Sequence, residues 1–444
     1  MRIIKYMFHA YKTCFNLLRG CSSFSNFRPW LKLSTSKVVV HAPWDQLDVD
    51  ISCLIFQCLD LEDRVRFNLV CKQWKKNTEP TSQPLWLMLP YEPNNKYLSF
   101  FDICDGKVHK LNLPQSVQGG WFCGCSKGWL FLALGTTLRN LRIFLFDPIS
   151  RAQIPLPSLS MISSFEDCLT GSRFKWNPAA YIIDSIEPSS SDASQCIVAA
   201  TFCEKNTGLA LCRLGDERWT IVEGLLAEGY RYGGIIFFDG ELYASVISLD
   251  EENNNNQAPF QFHSITIGNQ RVHLKLIYST HPPPSLFYAN GVLTYTKNCS
   301  RCSCLVESNG QLLMVTQTWD AICTLVDEEE EGDDGLLVYI QAATFQVFKI
   351  KTTEDTMCIT RLTGLGNQSL FLGTGDCRVL ENPNKFGKNC IHFLQVFDYR
   401  SDKRCPLVCR EAGVYHLDDG SIKRCFPSIK TKSSSSMHWF SPNF

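Results

Sequence analysis

Two hydrophobic rhythms divide the chain. From Trp44 to Lys76 the apolar positions keep a helical period. Ile51, Leu54, Ile55, Cys58 and Leu59 fall at offsets 0, 3, 4, 7 and 8. That spacing puts them on one face of a helix with about 3.6 residues per turn. Asp60 offers an N-cap for a second helix, and Glu62 and Asp63 place negative charge at its start, where the helix dipole favours it. Phe67, Val70, Cys71 and Trp74 then repeat the apolar spacing. The pattern predicts two short helices with a tight break between them. Neither can bury its apolar face alone, so each needs the other and a further surface.

After the connector Pro80-Thr81-Ser82-Gln83-Pro84 the rhythm changes. Short apolar runs alternate with Gly, Pro, Asn and Asp turns almost to the end. They include 128–132, 143–146, 208–212, 235–238, 242–244, 312–315, 345–349, 369–372 and 413–417. No long amphipathic helix interrupts them, which argues against alternating βα units and favours an antiparallel all-β body. A turn with Gly or Asn followed by an apolar strand recurs at Gly128, Gly208, Gly240, Gly310 and Asn367. So long a run of short strands must hide its edges, and radial repetition of four-stranded blades does so. A β-propeller is the expected architecture, with a pair of β-sandwiches as the alternative. Segments 188–194, 253–256 and 327–334 read as exposed loops, the last almost wholly acidic. Residues 433–436 read as a break before Trp439 and Phe440, aromatics that would tie the C-terminus back to the body as a closing strand.

The helical stretch resembles an F-box. Its family pattern is a Leu-Pro, an acidic residue, an Ile/Leu helix, a short acidic turn and Val-Cys-Lys-x-Trp. Here it appears as Leu47, Asp50, Ile51, Leu54, Ile55 and Leu59, then Val70-Cys71-Lys72-Gln73-Trp74. Asp48 stands where the family usually has Pro. The resemblance implies docking to a Skp-type adaptor within a cullin complex that acts as a ubiquitin ligase. It makes Leu47, Ile51, Leu54, Ile55, Leu59, Val70 and Trp74 the candidate adaptor-binding residues, some of which must instead hold the helices together. A generic helical hairpin is the alternative. The region from 85 resembles the plant domain of unknown function 295, described as a β-propeller that often follows an F-box. Its markers include Cys125-Ser126-Lys127-Gly128-Trp129-Leu130, Asp147-Pro148-Ile149-Ser150, Lys388-Asn389-Cys390-Ile391 and Gly413-Val414-Tyr415-His416-Leu417-Asp418-Asp419-Gly420. That resemblance brings no catalytic residues with it. The expected whole is mainly β with a small α N-terminal module: a leader at 1–43, an F-box at 44–80 and a propeller at 85–444.

Composition trims the alternatives. A chain of 444 residues has room for two or three domains. Its net charge of -1 supplies no basic field for nucleic acid. No apolar run approaches the length of about 18 residues that a membrane span needs. The 22 Cys are scattered, and read as mostly reduced, buried, small apolar side chains. Residues 1–43 contain no Asp or Glu but carry Arg2, Lys5, Lys12, Arg19, Arg28, Lys32 and Lys37, the composition of an organellar transit peptide. A ligase subunit is expected in the nucleus or cytoplasm; the leader keeps the mitochondrion as an alternative.

Candidate chemistry is thin. Gly124-Cys125-Ser126-Lys127-Gly128 fits Gly-x-Ser-x-Gly, but a nucleophile elbow needs a helix after the Ser, and 129–134 read as a strand. The glycines are expected in a hairpin turn. Cys299-x-x-Cys302-x-Cys304 has no second ligand pair at zinc spacing, and is expected in a turn with reduced thiols. No cofactor and no bond chemistry are expected. The primary reading is a substrate receptor, whose β body holds an unidentified target protein. The alternatives are an interaction or mitochondrial protein with a relict F-box, and an enzyme built on a propeller.

Overall fold

The structure is a computed structural model that describes residues 48–442, apart from 159–182, 249–260, 279–298, 327–334, 399–407, 425–436 and some shorter stretches. The leader, Leu47, Asp60, the loops 253–256 and 327–334 and the break at 433–436 therefore lie outside the described residues. The chain divides between Pro84 and Leu85 into two compact units.

Among its described residues the first unit holds three helices, α1 (Val49–Cys58), α2 (Leu61–Asn68) and α3 (Lys72–Asn77). The expected second helix is thus split. Cys71 is extended (φ -159, ψ 161), and its Sγ accepts the Trp74 N–H, so α3 has its own N-cap. The gain is visible at Phe67 and Trp74, whose rings stack at 4.2 Å. In an unbroken helix, residues seven apart sit about 10 Å apart along the axis and cannot stack. The break folds Trp74 back onto Phe67 instead. Arg64 closes the other end of the hairpin. Its Nε donates to the Phe56 and Leu59 carbonyls, each at 3.1 Å, which satisfies acceptors that the end of α1 leaves open.

The second unit is a six-bladed β-propeller. Blade 1 comprises Trp86–Met88, Tyr97–Asp102 and Val108–Asn112, completed by His438–Phe440 from the far end of the chain. Blade 2 comprises Trp121–Ser126, Trp129–Leu134, Arg142–Phe146 and Gln153–Leu156. Blade 3 is Ile183–Pro188, Ile197–Phe202, Leu209–Arg213 and Thr220–Val222. Blade 4 is Tyr230–Phe238, Glu241–Ser248, Gln261–Ile267 and Val272–Tyr278. Blade 5 is Cys299–Ser308, Gln311–Val326, Gly335–Thr352 and Met357–Leu362. Blade 6 departs from the expected four strands. Arg378–Glu381, Gln368–Leu372, Cys390–Asp398, Val408–His416 and Ile422–Arg424 lie side by side, with Gln368–Leu372 parallel to Cys390–Asp398.

The ring closes as the C-terminal aromatics suggest. Trp86 pairs with Phe440, Leu87 with Trp439 and Met88 with His438. Trp439 also reaches blade 6, its Nε1 donating to the Leu372 carbonyl at 3.0 Å. The core is a circle of seams. Ile143 and Leu145 of blade 2 pack with Val198 and Ala200 of blade 3, and Leu87 and Trp439 of blade 1 with Phe371 and Leu394 of blade 6. A blade covered on both faces needs apolar side chains on both, so Trp129–Leu134 is buried along nearly its whole length. That is why the strands read as continuous apolar runs rather than as alternation.

Turns set the register. Lys127-Gly128, Asp239-Gly240 and Asn309-Gly310 each carry two positive φ values and close the first hairpins of blades 2, 4 and 5. This is the twist-matched two-residue turn that glycine favours. Gly124, by contrast, sits within a strand beside a register shift, so only one glycine of the Gly-x-Ser-x-Gly pair forms the turn. The Cys299–Cys304 cluster is likewise not in a turn. It lies along the first strand of blade 5, with a register shift between Cys302 and Cys304.

Candidate functional site

The first unit presents apolar side chains to solvent. Val49 is 52 % exposed, Leu54 46 % and Val70 42 %. Amphipathic packing explains which residues face where. Ser52 is fully buried, and Phe56 and Arg64 pack together, so the opposite side of α1 is left to carry Leu54. Ile51, Ile55 and Leu59 are half-buried. Trp74 is 2 % exposed and turned inward. The candidate residues thus separate into an outward pair, Leu54 and Val70, a half-buried group, and one that holds the unit together. Leu47 lies outside the described residues.

Polar contacts, most of them between residues distant in sequence, fix this display. Asn77 Nδ2 donates to Ser52 Oγ at 3.1 Å, and Gln73 Nε2 donates to Asn77 Oδ1 at 2.7 Å. The Cys53 thiol donates to the Asn77 carbonyl at 3.1 Å. Thr78 Oγ1 donates to Asn68 Oδ1 at 2.7 Å and so joins the ends of α2 and α3. Buried polar groups must be paired, and these are. Small polar residues about 25 positions apart leave no local signature, which is why they escape a reading of the sequence.

In the propeller the groups with chemical potential serve the blades. Ser126 Oγ donates to Glu187 Oε2 at 2.6 Å, and Lys127 Nζ meets Glu187 Oε1 at 3.0 Å. The Ser of the Gly-x-Ser-x-Gly match therefore clasps blade 2 to blade 3, and a strand follows it. Cys390 Sγ lies 3.3 Å from His416 Nδ1 and 3.0 Å from the Lys388 carbonyl. Burial, and then the carboxylates of Asp418 and Asp419, push that thiol up, the reverse of what a thiolate nucleophile needs. Burial pushes the Cys123 thiol up to about 12. His263, bonded to the Tyr232 hydroxyl at 2.8 Å, and His392, stacked on Phe371 at 4.3 Å, are lowered to about 4, in both cases first by burial. Both are neutral structural imidazoles at neutral pH. Among the described residues no group of three His, Cys, Asp or Glu side chains could hold a metal ion.

Comparison with known sequences matches both units. Residues 100–416 fit the profile of the KIB1-4 beta-propeller, and residues 44–76 fit that of the F-box domain. An F-box/kelch-repeat protein of Arabidopsis thaliana is 25 % identical over 126 residues, 28 % of this chain. The match spans only 35 % of that relative's length. A solved protein from Lactobacillus plantarum is similar at a TM-score of 0.34 and 10 % identity, over 80 % of this chain and 99 % of its own.

Proposed function

The chain belongs to the KIB1-4 beta-propeller family, with an F-box domain ahead of the propeller, and on that footing we propose that it is the substrate-recognition subunit of a Skp–cullin–F-box ubiquitin ligase. The F-box docks to a Skp-type adaptor, and the propeller holds a target protein near the ubiquitin-loading machinery. The chain performs no bond chemistry itself. Its contribution is proximity, a raised effective concentration of the target's lysines. The observation that carries the reading is the solvent-facing Leu54 and Val70 on the matched F-box. Apolar side chains that a small helical unit turns to solvent are available for a partner to cover. The half-buried Ile51, Ile55 and Leu59 would line the edge of that contact.

The test is co-purification of the full chain from plant cells. Wild type should bring down a Skp-type adaptor and a cullin, and Leu54→Lys with Val70→Lys should lose both while the propeller still folds. Absence of adaptor and cullin from the wild-type preparation contradicts the proposal. The reading implies a nuclear or cytoplasmic protein. The basic, acid-free leader at 1–43 supports a second reading, a mitochondrial or other interaction protein with a relict F-box. A reporter carried into mitochondria by residues 1–43, together with no adaptor binding, would favour it.

A further inference from the structure

Asp48 stands where F-box sequences usually carry Pro. A Pro at the entry of a helix fixes φ near about -65° and gives up only a donor that the first turn leaves unpaired. Asp48 reaches the same state by hydrogen bonding. Its φ of -57 and ψ of 145 are angles that Pro itself adopts. Its Oδ1 accepts the Asp50 N–H at 2.9 Å. Its carbonyl accepts both the Ser52 N–H and Ser52 Oγ, each at 2.9 Å. Ser52 Oγ in turn accepts from Asn77 Nδ2. The entry of α1 is therefore fastened by a side-chain cap and, through Ser52, to α3. The first turn so fastened displays Val49, and the next displays Leu54, the two most exposed apolar side chains among the described residues of the unit.

We propose that Asp48 is a positioning residue for adaptor docking, which caps α1 so that Val49 and Leu54 are held ready for the partner. This rests on the adaptor-docking reading. Without the cap the first turn frays in the free chain, and binding must order it. The apparent affinity then falls with the fraction of molecules whose turn is formed.

The full chain and its variants can be titrated against a purified Skp-type adaptor by calorimetry, with Trp fluorescence and thermal melting recorded alongside. Asp48→Ala should bind about five-fold more weakly, while Asp48→Asn, which keeps a capping oxygen, and Asp48→Pro stay within about two-fold of wild type. Rescue by both variants separates positioning from charge. A Trp spectrum of Asp48→Ala that differs from wild type no more than that of Asp48→Asn, together with the wild-type thermal melt, shows that the variant keeps its fold. Wild-type affinity in Asp48→Ala, or an equal loss in Asp48→Asn, overturns the inference. Binding by Asp48→Pro where wild type binds nothing also overturns it, because Asp48 then obstructs docking, but leaves the adaptor reading for this F-box standing. If neither wild type nor Asp48→Pro binds, the adaptor reading itself fails, and the inference with it.

Discussion

At the scale of single residues, Trp74 and Val70 show how burial sorts a motif. Both belong to the Val-Cys-Lys-x-Trp end, and helical spacing puts them on one face. In the fold Trp74 is stacked on Phe67 while Val70 faces solvent. Trp74→Ala should therefore cost about 3–5 kcal/mol of the unit's stability, because a large buried ring leaves a cavity behind. Val70→Ala should leave stability within about 0.5 kcal/mol. Denaturant melts followed by circular dichroism of the two variants check this, and equal losses would contradict the assignment. The reason the sequence hides the distinction lies at Cys71. A thiol is not among the usual capping side chains, so nothing in the text marks the break that α3 starts from. The buried Ser52–Asn77 bond is equally silent, because its partners are distant in sequence.

At the scale of elements, the strands were largely legible and their arrangement only partly. Each apolar run from 128–132 to 413–417 falls in or overlaps a strand, because short apolar runs next to turn residues favour strands over helices. A further repeat lies in the backbone rather than in residue identities. Three stretches, beginning at Phe101, Phe146 and Tyr415, share one pattern of backbone hydrogen bonds. In each, the N–H of the second residue donates to the carbonyl of the seventh, and the sixth residue, at positive φ, donates back to the second. The residue types differ while the backbone does not, so a search by identity misses it. The parallel pairing within blade 6 has no local signal, because which edge a short strand joins depends on its neighbours. The buried imidazoles yield a pH prediction. His263 and His392 are lowered to about 4 from an unfolded value of 6.5. Above pH 6.5 both states are neutral and burial carries no protonation penalty. As pH falls from 6.5 towards 4 the unfolded chain takes up protons first, so stability declines, by up to about 3 kcal/mol for each histidine. Melting temperatures at pH 7.5 and 4.5 should differ, and the difference should shrink in His263→Gln with His392→Gln. A wild-type melting temperature that is the same at both pH values would contradict this.

At the scale of the molecule, the fold puts two kinds of work in two units. The helical unit carries a small apolar display, which on the proposed reading faces an adaptor, and the propeller is a ring whose last strand comes from the far end of the chain. That closure is a point where one side chain reports on the whole ring. Trp439 pairs beside Leu87, donates to the Leu372 carbonyl and packs edge-on against Phe371. Trp439→Ala should lower propeller stability by about 3–5 kcal/mol, read as an earlier calorimetric transition, with adaptor binding unchanged. A transition at the wild-type temperature would mean the ring is not held there. The division into two units was legible from the change of rhythm near residue 85, whereas what the propeller binds was not, because propeller surfaces gather residues that are distant in sequence. The account as a whole turns on whether the F-box works. The most direct measurement is calorimetric titration of the purified full chain with a purified Skp-type adaptor. Saturable one-to-one binding that is lost in Leu54→Lys with Val70→Lys and kept in Trp439→Ala is the predicted result, and no binding by the wild-type chain, or equal binding by the double variant, would contradict it.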